Sequence, residues 1–173
     1  MPSARAYTTP NTLDPGGAKV AYQTGAMGPA NGALARSLNN CVLVVEDDPP
    51  LRKLITVTLQ RENLAVAAVT DGAEAIEHLG RERYRVVLLD LMMPRVNGWK
   101  VMEWLKEHPA RRPRTVIIVT AFDQKVFAAL DPLMVNAIII KPFDTDELGG
   151  YVRRCCELDI ERDRRSKRLV GQQ

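Results

Sequence analysis

Between Cys41 and Ile140 the chain carries five short apolar runs, Cys41 to Val45, Ala65 to Val69, Val86 to Leu89, Val116 to Val119 and Ala137 to Ile140, separated by stretches of helical spacing. This alternation constrains the fold more than any other feature. The runs are too short for helices and do not alternate with polar residues, as expected for strands buried on both faces of a parallel sheet, so helices must cover both faces. The first helix is the best marked: Asp48 can cap it, Pro49 and Pro50 suit its first turn, and Leu51, Leu54, Ile55, Thr58 and Leu59 fall on one face. Ala73, Ile76 and Leu79 mark a second helix, Val101, Met102 and Leu105 a third, and Phe127 with Leu130 a shorter fourth. A fifth begins at Asp144, with Glu147 in the capping-box position, and Gly149 and Gly150 weaken it by roughly 1 kcal/mol each relative to Ala. The order is (βα)5, a doubly wound, flavodoxin-like α/β fold with a five-stranded parallel sheet in strand order 2-1-3-4-5 and right-handed crossovers.

The rest of the 173 residues fits one domain with two appendages. Residues 1–40 are rich in Gly, Pro, Ser, Thr and Asn without hydrophobic periodicity, and read as a disordered arm. The domain spans 41–158. Beyond Leu158, residues 159–173 alternate in charge without an apolar stripe, and read as a fraying extension of the last helix. The net charge of +3 is mild and its signs interspersed, which requires neither a nucleic-acid nor a membrane partner. Cys41 and the adjacent pair Cys155 and Cys156 lack the spacing of a disulfide framework or zinc knuckle. With no membrane-length apolar stretch and no secretory leader, the expected location is the cytoplasm.

In an open parallel sheet, ligands bind beyond the carboxyl ends of the strands. The residues there are Glu46, Asp47 and Asp48 after the first run, Asp90 after the third, Thr120 after the fourth and Lys141 after the fifth; Thr70 and Asp71, after the second, read only as a helix start. Strand order 2-1-3-4-5 brings Glu46 and Asp47 beside Asp90. Three neighbouring carboxylates repel one another unless a cation neutralises them, and such a donor set suits Mg²⁺. A threonine hydroxyl and a lysine ammonium approaching from the other side complete a receptacle for phosphoryl oxygens. Taken singly, each of these residues has an ordinary structural explanation; their joint position at the same end of four strands does not.

The segments VLVVEDDPPLRKL, VVLLDLMMPRVNGW, VIIVTA and IIIKPF, in this order and spacing, resemble the four signature blocks of the response-regulator receiver domain of two-component signalling. The resemblance covers about residues 41–158. It implies that Asp90 is the phosphoacceptor, that Asp47 ligates Mg²⁺ directly and Glu46 through water, and that the main-chain carbonyl of Met92 completes the protein ligands. Thr120 would bind the phosphoryl group, Lys141 would pair with it, and the Lys141–Pro142 bond would be cis. The implied donor is a phosphohistidine on a sensor histidine kinase or histidine phosphotransfer protein. Apart from its own phosphorylation and dephosphorylation such a chain catalyses nothing.

Two chemistries of comparable folds are disfavoured. Aspartyl-phosphate hydrolases want an acid two residues after the nucleophile, where this chain has Met92, and nucleotide or flavin binding wants a Gly- or Ser/Thr-rich loop where it has three acids. The chain departs from the family pattern at Ile138, three before the lysine, where an aromatic is usual, and at Asn136, where glycine is common and a left-handed backbone is expected. Ile138 favours an alternative reading, a receiver-fold interaction module working without phosphorylation. Apolar Met92 and Phe122 flank the family's path for attacking water and imply slow self-dephosphorylation. With no output domain after the receiver, the signal is expected to leave by contact with a downstream protein or by homodimerisation through the face from strand four to helix five.

Overall fold

The computed structural model describes residues 20–22, 42–121 and 128–170, with side chains described for 42–121 and 128–166. Six strands form one sheet: β1 (Val20–Tyr22), β2 (Val42–Val45), β3 (Val66–Val69), β4 (Val86–Leu89), β5 (Thr115–Ala121) and β6 (Ala137–Lys141). Their order is β1-β6-β5-β4-β2-β3. The five strands from β2 onward are parallel and, renumbered from β2, stand in the expected order 2-1-3-4-5. The addition is β1, which pairs antiparallel with the edge strand β6 (Val20 opposite Ile139) inside the stretch read as a disordered arm.

The continuous apolar runs have a direct cause. Along β2, Leu43 and Val45 enter one core layer while Val42 and Val44 enter the other, so every position meets apolar neighbours. One layer packs β2, β4 and β5 against Ala75 and Leu79 of α2 (Gly72–Arg81) and Val101 and Leu105 of α3 (Gly98–Glu107). The other packs them against Ile55 and Leu59 of α1 (Pro49–Arg61) and Leu148, Val152 and Cys156 of α4 (Thr145–Val170). Leu54, expected on the buried face of α1, is instead half exposed. Of the short helix expected around Phe127 and Leu130, Ala128 and Ala129 are helical and Phe127 lies outside the described residues.

The caps follow the residue chemistry. The Asp48 side chain accepts from Leu51 N at 2.7 Å, and Asp144 Oδ1 accepts from Asp146 N and Glu147 N at 2.8 and 3.0 Å. Gly149 has a packing reason: a Cβ there would stand 3.0 Å from Thr58 Cγ2 and 3.3 Å from Glu62 Cγ, so the glycine lets α4 lie close against α1. Asn136 is not left-handed; the described non-glycine residues with positive φ are Asn63 and Arg95. Asn136 instead brackets the start of β5, its Oδ1 accepting from Val116 N at 2.8 Å and its own N–H donating to Val116 O at 2.9 Å.

Helix α4 passes through the expected boundary at Leu158 and stays helical to Val170, 26 residues in all, or about 39 Å. Its inward stripe continues past Cys156 through Asp159, Ile160 and Asp163. Asp159 is buried, and burial raises its pKa against the lowering charges of Arg114, Arg162 and Arg85. One turn on, Asp163 meets the guanidinium of Arg85 at 2.7 Å and that of Arg114. The sequence reads residues 159–173 as an extension of the last helix; what it does not show is the docking of Asp163 on Arg85 and Arg114, whose segments lie far away in the chain.

The cysteines correct an expectation. Cys155 is a free buried thiol whose pKa burial pushes up to about 11, whereas Cys156 is disulfide-bonded to a partner outside the described residues. Disulfide formation depends on Cβ proximity in the folded chain, which sequence spacing does not reveal. Among the described residues no helix is long and apolar enough to cross a membrane.

Candidate functional site

The carboxyl ends of β2, β4 and β6 deliver Glu46, Asp47, Asp90 and Lys141 to one place. Asp90 follows β4, and its amide donates to Val45 O at 3.0 Å, which locks the end of β4 to that of β2. The loop after β2 is held by Arg52, one turn into α1, whose Nη1 donates to the carbonyls of Glu46 and Asp47 at 2.8 and 3.0 Å. With both carbonyls engaged, the Glu46 and Asp47 side chains can reach the Asp90 carboxyl. Carboxylate oxygens of Glu46, Asp47 and Asp90 all lie within 4.8 Å of one another. Arg52 was not anticipated; its one legible signal was a cation a helical turn beyond an acidic loop.

Lys141 supplies the positive charge. Its Nζ stands 2.5 Å from Asp90 Oδ2 and 2.9 Å from Glu46 Oε1, joining the ends of β4 and β2 from β6, two strands away. The same ammonium is 2.8 Å from Glu46 Oε2 but off the hydrogen-bonding direction, so that buried oxygen lacks a directed donor. Burial pushes the Glu46 carboxyl up, with the Lys141 hydrogen bond and charge pulling down and the Asp90 charge pushing up again. Burial works against the charged form of Lys141, but its hydrogen bonds to Asp90 and Glu46 outweigh this and raise its pKa. The Lys141–Pro142 bond is cis.

Glu46 and Asp90 are 2% and 4% exposed, and three carboxylates facing one ammonium leave negative charge in excess. A group of oxygen donors with one directed donor missing fits a hard divalent cation such as Mg²⁺. Met92 N donates to Asp90 Oδ1 at 2.8 Å, which turns the Met92 peptide toward the carboxylate, while its side chain is 63% exposed.

Thr120 is fully buried on β5, and its Oγ1 has no hydrogen-bond partner among the described residues. Desolvating a hydroxyl without pairing it is unfavourable. Thr120→Val, of similar shape, should therefore stabilise the fold by about 1 kcal/mol, read as a higher urea midpoint. A lower midpoint would show that the hydroxyl finds a partner in solution. Phe122, the other residue named with the threonine loop, lies outside the described residues.

Asp71 is more than a helix start. Its Oδ1 caps α2 at Ala73 N and Glu74 N, while its Oδ2 pairs with Arg95 at 2.8 Å, and Gly72 N donates to Val96 O at 2.8 Å. The segment between Asp90 and α3 is thus tied to α2. Its end is Gly98, where a Cβ would stand 2.2 Å from Asp90 O and 2.7 Å from Leu91 Cα. The requirement for glycine here is close backbone approach. His78 and His108 stand apart from the site, His78 against the Tyr84 hydroxyl and His108 stacked on Trp104.

Comparison with known proteins agrees with this geometry. The family model described as response regulator receiver domain matches residues 42–153. Regulatory protein AtoC of Escherichia coli K12 is 31% identical over 121 residues, covering 69% of this chain and 26% of AtoC. Response regulator ArlR of Staphylococcus saprophyticus is 33% identical over 116 residues, covering 65% of this chain and 50% of ArlR. The chain therefore spans about a quarter to a half of these relatives. Response regulator TrrA of Thermotoga maritima, solved with Mg²⁺ and BeF, superposes with a TM-score of 0.59 at 26% identity, over 68% of this chain and 99% of that one.

Proposed function

Because this chain belongs to the response regulator receiver domain family, we propose that it is a phosphoacceptor switch that takes a phosphoryl group from a phosphohistidine onto Asp90. The donor is a sensor histidine kinase or a histidine phosphotransfer protein. The observation that carries this reading is a buried carboxylate held by Lys141 and gathered with two further acids; the buried threonine hydroxyl on the neighbouring strand β5, without a partner among the described residues, supports it.

Each residue has a task. An Asp90 carboxylate oxygen attacks phosphorus in line while the histidine nitrogen leaves with its bond pair. Lys141 donates to Asp90 Oδ2 and can follow the charge onto a phosphoryl oxygen. Thr120 donates its free hydroxyl to another. The residues that would hold Mg²⁺ are Asp47 and Asp90 directly, Glu46 through water and the Met92 carbonyl, and the ion would spread the charge of the transferring group. The presence of Mg²⁺ and BeF in the TrrA structure supports this assignment. Output then passes by protein contact or homodimerisation through the face that runs from β5 to α4, in the cytoplasm.

The test is incubation with Mg²⁺ and acetyl phosphate or phosphoramidate followed by intact mass, with Asp90→Asn beside it. One added phosphoryl group in the wild type and none in the variant is the expected result. Absence of the addition in folded wild-type protein would favour the interaction module that works without phosphorylation. That second reading draws on Ile138, a half-buried aliphatic residue packed in the α2–α3 core layer where the family usually carries a swinging aromatic.

A further inference from the structure

Arginines that look interspersed along the chain are gathered in space at the end of the sheet opposite the phosphoacceptor site. Three segments contribute: 81–85 before β4, 111–114 before β5 and 159–165 near the end of α4. Asp163 bonds Arg85 and Arg114 at once, and Arg83 Nη1 donates to the carbonyl of Ala110, so the three segments are in contact. Together they hold nine arginines and no lysine, against four acids, of which Asp159 is buried and Asp163 is already shared between two arginines. Arg83 and Arg112 bond neutral carbonyls, and Arg111, Arg164 and Arg165 enter no ion pair among the described residues. Gathering so many like charges opposes folding by self-repulsion, and a surface serving only solubility has no need of it.

We infer that this end of the molecule is a binding surface for the phosphate backbone of duplex nucleic acid, read without regard to base sequence. Three observations select that partner among polyanions. The exclusive use of arginine favours phosphate, whose oxygens the planar guanidinium matches in bidentate fashion. Single strands are held largely by stacking on aromatic rings, and Tyr84, the aromatic residue of these segments, is buried. An anionic membrane surface wants inserted apolar area, and the exposed apolar residue beside the arginines is Leu133 alone among the described residues, its carbonyl held by Arg112. The pairs of Asp163 with Arg85 and Arg114 have a role here: they dock the end of α4 so that Arg162, Arg164 and Arg165 join the arginines of the loops. The sequence expectation of no nucleic-acid partner rested on interspersed charge, and the folded chain does not keep the charge interspersed. The inference does not depend on the chemistry at Asp90.

The test is fluorescence anisotropy of a labelled random-sequence duplex with the full chain, titrated at about 50 and 200 mM NaCl, where neutralising roughly four phosphates predicts about a hundredfold loss of affinity with salt. The triple variant Arg111→Ala/Arg164→Ala/Arg165→Ala, which breaks no ion pair among the described residues, should keep the wild-type melting temperature. It should bind about tenfold or more weakly at low salt and flatten the salt slope by about 2. Glu161→Lys, at an exposed position in the patch, should tighten binding. No binding at low salt, an affinity unchanged in the triple variant, tighter binding to a single strand of equal length, or binding to phosphatidylserine vesicles without binding to duplex would each overturn the inference.

Discussion

Lys141→Met should lower stability by about 3–5 kcal/mol when divalent cations are chelated, the range for removing one partner of a buried ion pair. The lysine ammonium is the one cation ion-paired with the Asp90 and Glu46 carboxylates among the described residues, and both residues are almost wholly buried. Without it, three carboxyls converge with nothing to neutralise them, and the folded chain must either keep that repulsion or take up protons. Methionine keeps most of the aliphatic stem, so the loss belongs to the charge. Thermal melts in EDTA should show a fall of roughly 10 °C for a chain of this size. Millimolar Mg²⁺ should restore much of it, since a divalent cation among the same oxygens takes over the neutralising role. A variant that melts within a degree or two of wild type in EDTA would mean that the three acids already share protons in the folded state, and the electrostatic account of the site would fall.

Gly98→Ala should be nearly as damaging, by a different route. The added methyl group would meet Asp90 O at 2.2 Å, Leu91 Cα at 2.7 Å and Asp90 C at 3.0 Å. All three are backbone atoms, so no side chain can turn away; either α3 or the strand end carrying Asp90 must shift. Overpacking of this kind costs about 1–3 kcal/mol and more where the neighbour is rigid, so a melting point lower by roughly 6–10 °C is expected. If Asp90 takes the phosphoryl group as proposed, phosphorylation by acetyl phosphate should slow as well, because the displaced atoms belong to that residue. Gly80→Ala is the matched control. Nothing stands within 4 Å of its added Cβ, and in α2 the substitution should stabilise by about 0.5–1 kcal/mol through helix propensity. If both variants melt alike, close approach at Gly98 is not what the position requires.

On the proposed function, a phosphoryl group and its metal would relieve three unfavourable features found among the described residues: excess carboxylate charge, a carboxylate oxygen without a directed donor, and a threonine hydroxyl without a partner. The expected stabilisation by Thr120→Val and the expected loss of phosphorylation in Asp90→Asn are two readings of that balance. Binding groups left unsatisfied in the resting protein give the modified state its advantage.

The sequence alone determined the elements, their order and the end of the sheet that carries chemistry. The physical reason is that these are local consequences of side-chain character: strands buried on both faces leave unbroken apolar runs, helices leave a 3.6-residue period and capping residues, and polar residues just past each run must lie at the carboxyl edge. Glu46, Asp47, Asp90 and Lys141 were legible for that reason, and the structure brings all four together. Only the tertiary structure decided the rest. Arg52 reaching back to the Glu46 and Asp47 carbonyls, Gly98 lying against Asp90, Asp71 tied to Arg95, and Asp163 bridging Arg85 and Arg114 all join residues whose meeting depends on how helices seat on the sheet. The addition of β1 to the edge of β6 belongs with them. It is held by backbone pairing, which leaves no hydrophobic period in the sequence by which it could have been foreseen.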